Sequence, residues 1–242
     1  MKAVAIAAMM GAIGLSACVE TTVGQGSSGG NVSAATSTSP PAVSAGDPAI
    51  QRYNRVVARM EPIAERACQR RVRAGVNCDF NIVLNTDPRQ PSNAYQSLDR
   101  NGRPVLTFTV AILKEMQNDH EVAFVLGHEA AHHIAGHIAQ TRETATIGAV
   151  LGGGLAILLG GSQSAVDIGA DLGGTVGARA YSKDHELEAD ALGARITHDS
   201  GYDPVKGAAF FQRIPDPGDR FLGSHPPNAE RIATVRRAAA SF

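Results

Sequence analysis

Apolar residues recur along the chain in two rhythms, and a third stretch has no rhythm at all. Between Ala49 and Arg73 they fall at Val56, Val57, Met60, Ile63, Ala64 and Ala67, close to a 3.6-residue period that predicts an amphipathic helix. Asp47-Pro48 ahead of it reads as an N-cap and a first-turn proline, while Pro62 predicts a kink or a break. Asp79 to Asn85 alternates apolar and polar side chains, as a strand does. A loop rich in Asp, Pro, Asn and Gly follows, with a turn signal at Asn101-Gly102. Pro104 to Val110 is then a second strand, β-branched and aromatic, whose leading proline suits a sheet edge. From Asn118 or Asp119, either of which can cap, a long helix carries the apolar run Val122 to Gly127. The sum is an α+β domain, mostly helical, with a small β-sheet.

The chemistry sits at the end of that last helix. His128-Glu129-Ala130-Ala131-His132 spells H-E-x-x-H, and residues four apart share a helix face, so the two imidazoles converge. Two neutral imidazoles are half of a tetrahedral zinc site, and Glu129 beside the first can act as base on a water. The metzincin extension of the motif is excluded. Gly136 and His137 are each one place out of register, and all five methionines precede the motif. A glutamate from a second helix is the other solution, and Tyr181 to Gly193 supplies one. Glu186 and Asp190 are four apart and share a face, so Glu186 is the expected third ligand. Asp190 is expected to hold the imidazole of His128 through its outer N–H. Glu188 and Asp184 read as a solvated acidic face, and His185 stands as an alternative ligand. His133 and His137 read as packing or polar-network residues, and His120 and His198 as incidental.

Ten of the 26 glycines lie between Gly148 and Gly177, and Ala145 to Val166 carries no charge. A single membrane span there would put His132 and Glu186 on opposite sides of a bilayer. Gly152, Gly153 and Gly154 would each cost a helix about 1 kcal/mol relative to alanine. The stretch is expected to be a mobile apolar loop or broken helix near the site, with an interfacial membrane contact as the alternative.

The N-terminus predicts export. Lys2, the short apolar run Ala3 to Gly14 and then Leu15-Ser16-Ala17-Cys18 read as a secretory signal rather than a span. Its ending resembles a bacterial lipobox, which makes residues 1–17 a lipoprotein signal peptide and Cys18 the lipidated first mature residue. An ordinary signal peptide with an incidental cysteine is the competing reading. Val19 in place of an aspartate implies sorting to the outer membrane. Residues 18–47 hold a low-complexity stretch of Thr, Ser, Gly, Ala and Pro, a tether of about 28 residues spanning roughly 30 Å. Residues 48–242 then form one domain. With Cys18 acylated, Cys68 and Cys78 remain to form a disulfide; free thiols or metal ligands are the alternatives. A net charge of -1 and 5% aromatic content argue against a nucleic-acid partner.

Three segments together carry a family resemblance: His128 to His132, Glu186-Leu-Glu-Ala-Asp190, and Ser224-His-Pro-Pro-Asn-Ala-Glu-Arg231. They resemble the signatures of the HtpX and CAAX-prenyl-protease-like zinc metallopeptidases, over about Asp47 to Phe242. Lacking clear transmembrane helices, the chain is most similar to the soluble periplasmic and lipoprotein branch. The resemblance implies a gluzincin-type domain holding one Zn2+ through His128, His132 and Glu186. It implies Glu129 as general base and His225 as the residue that stabilises the oxyanion. Arg231, one turn into a C-terminal helix capped by Asn228, is expected to order that loop. Val105, Leu106, Thr107 and Phe108, on the expected edge strand, would bind an extended peptide in the cleft by backbone pairing. The expected activity is cleavage of unfolded or misassembled envelope proteins at the periplasmic face of the outer membrane, by an enzyme held there through its lipid anchor. The rival is a chaperone-like protein that holds such chains and seldom cuts them; a zinc hydrolase of non-peptide bonds is a second alternative.

Overall fold

A computed structural model describes residues 46–180, 182–216 and 225–242, with the side chains of 179 and 180 set aside. The predicted leader, Cys18 and nearly all of the tether lie outside the described residues, as do Tyr181 and Ser224.

Helix α1 runs Pro48–Arg71, and its start is the one the sequence predicts: Asp47 accepts a hydrogen bond from the Ala49 N–H at 2.8 Å. Pro62 lies inside α1 without ending it. The buried stripe Val56, Met60 and Ala64 packs toward a central helix, in one core with Leu106 and Phe108 of a three-stranded sheet. The sheet consists of β1 (Asn81–Asn85), β2 (Ala94–Leu98) and β3 (Pro104–Thr109), in the order β1-β3-β2. β3 pairs parallel with β1 and antiparallel with β2.

This order corrects the expected position of the second strand. Val105, Leu106, Thr107 and Phe108 lie on the central strand, hydrogen-bonded on both sides, and cannot pair with a peptide. The proline misleads because it is the first residue of the strand, where a missing N–H disturbs little of the ladder. Leu106 and Phe108 are fully buried, and the Phe108 ring meets Tyr53 of α1 at 5.5 Å. The edges belong to β1 and to β2, and β2 lies inside the stretch the sequence presents as loop.

After α2 (Val110–Glu115), α3 (Asp119–Ala135) starts with a reciprocal cap. Asn118 accepts from the Glu121 N–H, and the Glu121 carboxylate accepts from the Gln117 N–H and the Asn118 side-chain amide. α6 (Ser182–Asp199) crosses α3 where two glycines meet. A Cβ on Gly127 would lie 2.7 Å from the Gly193 carbonyl, and one on Gly193 would lie 2.8 Å from the His128 nitrogen. That close approach carries Glu186 and Asp190 over His128. α7 (Pro204–Ala208) and α8 (Asn228–Ala239) close the far side. Asn228 does not cap α8: it is already the first helical residue, and its side chain donates to the Ile214 carbonyl at 3.2 Å.

The charge-free, glycine-rich stretch is ordered into two helices, α4 (His137–Leu158) and α5 (Gln163–Ala180), which form an antiparallel hairpin. Gly148 and Gly152 press against Gly173 and Gly169, where added Cβ atoms would sit 2.0–2.1 Å from the opposite carbonyl oxygens. Contact between the two backbones offsets the poor helix propensity of glycine, so the stretch is helix broken at 159–162 rather than a loop. No helix among the described residues is long and apolar enough to cross a membrane. Cys68, near the end of α1, is joined by a disulfide to Cys78 ahead of β1, with 5.7 Å between their Cα atoms.

Candidate metal centre

The i,i+4 spacing on α3 turns both imidazoles toward α6. His128 Nε2 and His132 Nε2 lie 3.0 Å apart, and Glu186 places Oε1 3.3 Å from His132 Nε2 and Oε2 3.6 Å from His128 Nε2. Ligands bound to one tetrahedral zinc at 2.0–2.2 Å stand about 3.3 Å from one another, so two nitrogens and a carboxylate oxygen have the spacing the ion requires. Among the described residues, His128, His132 and Glu186 are the group with metal-binding arrangement. The buried Glu186 carboxylate faces the cluster, and its Oε2 also lies 3.3 Å from an Arg231 guanidinium nitrogen.

The electrostatics of the pocket call for a cation. Burial alone would lower the pKa of His128, but the Asp190 and Glu186 carboxylates outweigh it, and the value is pushed up to about 10. Burial would raise the Glu186 carboxyl; its imidazole neighbours His128, His132 and His225 instead hold it far below the usual carboxylate range. A proton on His128 or a metal ion between the three donors satisfies the same field.

Each ligand imidazole is held from behind, by different chemistry. His128 Nδ1 lies 3.0 Å from Asp190 Oδ1, and Asp190 is fully buried. Arg231 of α8 meets that carboxylate with two bonds of 2.8 Å, and its guanidinium stacks 4.0 Å from the centre of the Phe211 ring. Arg231 therefore touches the support of the site directly, whereas the sequence suggests only that it orders a loop. His132 Nδ1 lies 2.9 Å from His137 Nδ1, and His137 Nε2 lies 3.2 Å from Glu188 Oε2. With Nε2 of His132 turned to the cluster, its proton resides on Nδ1 and is donated to His137, which in turn donates from Nε2 to Glu188. Burial, despite Glu188, keeps His137 below the usual imidazole range and hence neutral at pH 7.

His137 is the residue that periodicity misses. Its i+5 spacing from His132 falls off the face of a continuous helix. Gly136, with φ 75°, ends α3 in a left-handed cap and sends the chain back. His137 thus opens a new helix with its ring on His132, stacked against His185 at 4.3 Å. Glu188 is exposed as expected but serves as the outer end of this chain. His133 holds the Asn77 carbonyl at 2.7 Å and packs edge-on against Phe80, in keeping with a network role.

Two cavities of about 530 and 520 Å³ flank Glu129 and share Asn93, Ala94, His128 and His225 in their walls. β2 runs along the first, which is otherwise histidine-rich and polar. The second is apolar, walled by Ile112, Phe124, Val125, Phe210 and Phe211. Glu129 is buried between them, and the half-exposed His225 places Nδ1 3.0 Å from Glu186 Oε2. The residues expected at the site come together, except Val105 to Phe108, which line neither cavity.

A helical H-E-x-x-H paired with a glutamate from a second helix, in an α+β domain, defines the metallopeptidase class. Residues 52–239 match the profile of peptidase family M48, and the chain belongs to that family. It is 26% identical over 221 residues to "Metalloprotease LoiP" of Escherichia coli K12, covering 80% of this chain and 86% of that protein. It is also 27% identical over 142 residues to the "Beta-barrel assembly-enhancing protease" of E. coli K12, and 29% identical over 140 residues to a putative protein of that name in Vibrio cholerae. Those two matches cover about half of this chain and 29% of the longer proteins.

Proposed function

We propose that the chain is a zinc-dependent endopeptidase acting on unfolded or misassembled proteins of the cell envelope. The observation that carries this reading is the meeting of three elements at one point: the His128, His132 and Glu186 donor set, the buried Glu129, and the free edge of β2 along the same cleft. Zinc held there supplies a Lewis acid that makes water acidic enough to ionise near neutral pH. Glu129 takes the proton of the attacking water and returns it to the leaving nitrogen. His225, on the rim of the cleft, donates to the oxygen on which charge develops. Asp190 and His137 fix the two ligand imidazoles in the tautomer that leaves Nε2 free for metal. β2, rather than β3, pairs with an extended substrate through its backbone, and the apolar cavity takes a large aliphatic or aromatic side chain. Backbone pairing asks for an unfolded stretch rather than a sequence. Work in the envelope, with Cys18 as a lipid anchor, is supported by the lipobox-like leader and by the names of the relatives.

Replacing Glu129 with Gln tests the chemistry. Casein degradation should fall at least a hundredfold while one zinc per chain remains, and cleavage at the unaltered rate would refute the base assignment. A Glu129→Gln protein that still restores envelope assembly in cells would make client holding, not cleavage, the main activity. Glu186→Ala should abolish stoichiometric zinc; retained zinc would move the third ligand elsewhere.

A further inference from the structure

The α4–α5 hairpin packs almost wholly on itself and meets the rest of the domain only at its base. Its outward surface is unusual. Ile147, Leu151 and Leu155 each precede by one a seam residue of α4, as Ile168, Leu172 and Val176 do on α5. In an antiparallel pair, equivalent offsets from the seam fall on the same side, so these six aliphatic residues form one flat exposed face. The apolar surface continues over the outer edge of α4 at Val150 and onto the tip, where Leu158 is 85% and Leu159 77% exposed.

We propose that this hairpin is a membrane-docking device, which sinks its aliphatic face and tip into one leaflet of a phospholipid bilayer and holds the substrate cleft at that surface. Four observations select lipid over a protein partner. From Ala145 to Leu159, α4 has no charged position on any face. A helix that docks in a protein groove, or on a second copy, keeps a polar face away from the contact, whereas a helix apolar all round suits an isotropic apolar medium. Beyond Glu143 at its base, the hairpin's acidic groups keep to the opposite edge. Asp167 and Asp171 stand two residues from the seam glycines of α5, on the side away from α4, and Asp167 is bound to Gln163 at 2.9 Å. They would stay at the headgroups while α4 enters. Gly148 to Leu159 spans about 17 Å, well short of the roughly 30 Å hydrocarbon core, so the hairpin lies face-on in one leaflet without crossing. Finally, the sequence ahead of α1 carries the lipobox-like Leu15 to Cys18, which resembles a signal for attachment to lipid.

The consequence reaches the cleft, because α4 begins there. His137 is bonded to His132, and Ile138, Thr141 and Arg142 line the polar cavity. Docking of the hairpin therefore sets which way the cleft faces, whether or not the cleft cuts.

The chain has no tryptophan, which gives a direct probe. Leu158→Trp in the full chain should shift its emission to the blue on vesicles of phosphatidylethanolamine and phosphatidylglycerol, and lipids brominated on the acyl chain should quench at least half of it. Adding Leu151→Asp should cut that quenching severalfold, and Tyr95→Trp, on the cleft edge, should not be quenched. Absence of quenching in the first variant overturns the proposal. So does a blue shift that grows with protein concentration and a doubled mass without lipid, which would assign the face to a second copy. A blue shift seen only with reduced, unfolded casein would assign it to substrate chains and overturn the proposal equally.

Discussion

The protein uses glycine twice to bring two helices into backbone contact, to opposite ends. At the α3–α6 crossing, Gly127 and Gly193 lie in the core, and His128 next to the first and Asp190 one turn before the second are buried and paired with one another. At the α4–α5 crossing, the seam is just as close, but the residues beside it are aliphatic and exposed. Close packing is the same device in both places. What the outward residues do separates a site from a surface: in the first crossing they face inward on each other, and in the second they have nothing in the domain to face.

The strongest way to break this contrast is to strip the inner crossing of its charge pairing. Asp190→Ala leaves Arg231 buried beside His128 without its two-bond partner, with Glu186 3.3 Å away, and should cost about 3–5 kcal/mol in denaturant unfolding. A loss below 1 kcal/mol would show that the pair is not the support described. Gly193→Ala should follow, at about 1–3 kcal/mol with weakened zinc binding, because the new methyl must displace the His128 backbone. His137→Ala should lower zinc affinity about 10- to 100-fold in a chelator competition while the fold stays intact. His137→Gln should recover part of it, since an amide can accept from His132.

Proton release sharpens the same picture. In the metal-free protein His128 keeps its proton to about pH 10, so zinc loading at pH 7.5 should expel about one proton per ion. Affinity should climb about tenfold per pH unit from 7 to 9, read by calorimetry in two buffers of different ionisation enthalpy. Because that pKa is raised above the unfolded 6.5, its contribution to metal-free stability is full below pH 6.5 and fades as pH rises toward 10. The smallest effect belongs to Gly152→Ala. Its methyl would strike the Gly169 carbonyl and loosen the hairpin, read as faster hydrogen exchange in α4 and α5. Casein cleavage in solution should stay within twofold.

The site is more legible in the sequence than the elements around it, and the reason is periodicity. His128 with His132, and Glu186 with Asp190, are each i,i+4 on helices that are continuous, so spacing alone puts each pair on one face. His137 escapes because its contact depends on the left-handed break at Gly136. β2 escapes because Ala94-Tyr-Gln-Ser-Leu98 has little alternation, and its place is fixed by β3, its neighbour in the sheet. The hairpin escapes because glycine counts against a helix until a second helix fits against it.

The Cys68–Cys78 bridge has a consequence in time rather than in space. It closes a segment whose end abuts the long helix α3, since the Asn77 carbonyl receives His133 and Phe80, just beyond Cys78, packs on the same ring. Closing a loop of 10 residues removes about 2.7 kcal/mol of unfolded-chain entropy. Until an oxidant supplies that bond, a newly made chain lacks this increment, a sizeable share of a small domain's margin. Its full rigidity would then arrive only after oxidation, which leaves the newly made chain pliable and the oxidised one hardened.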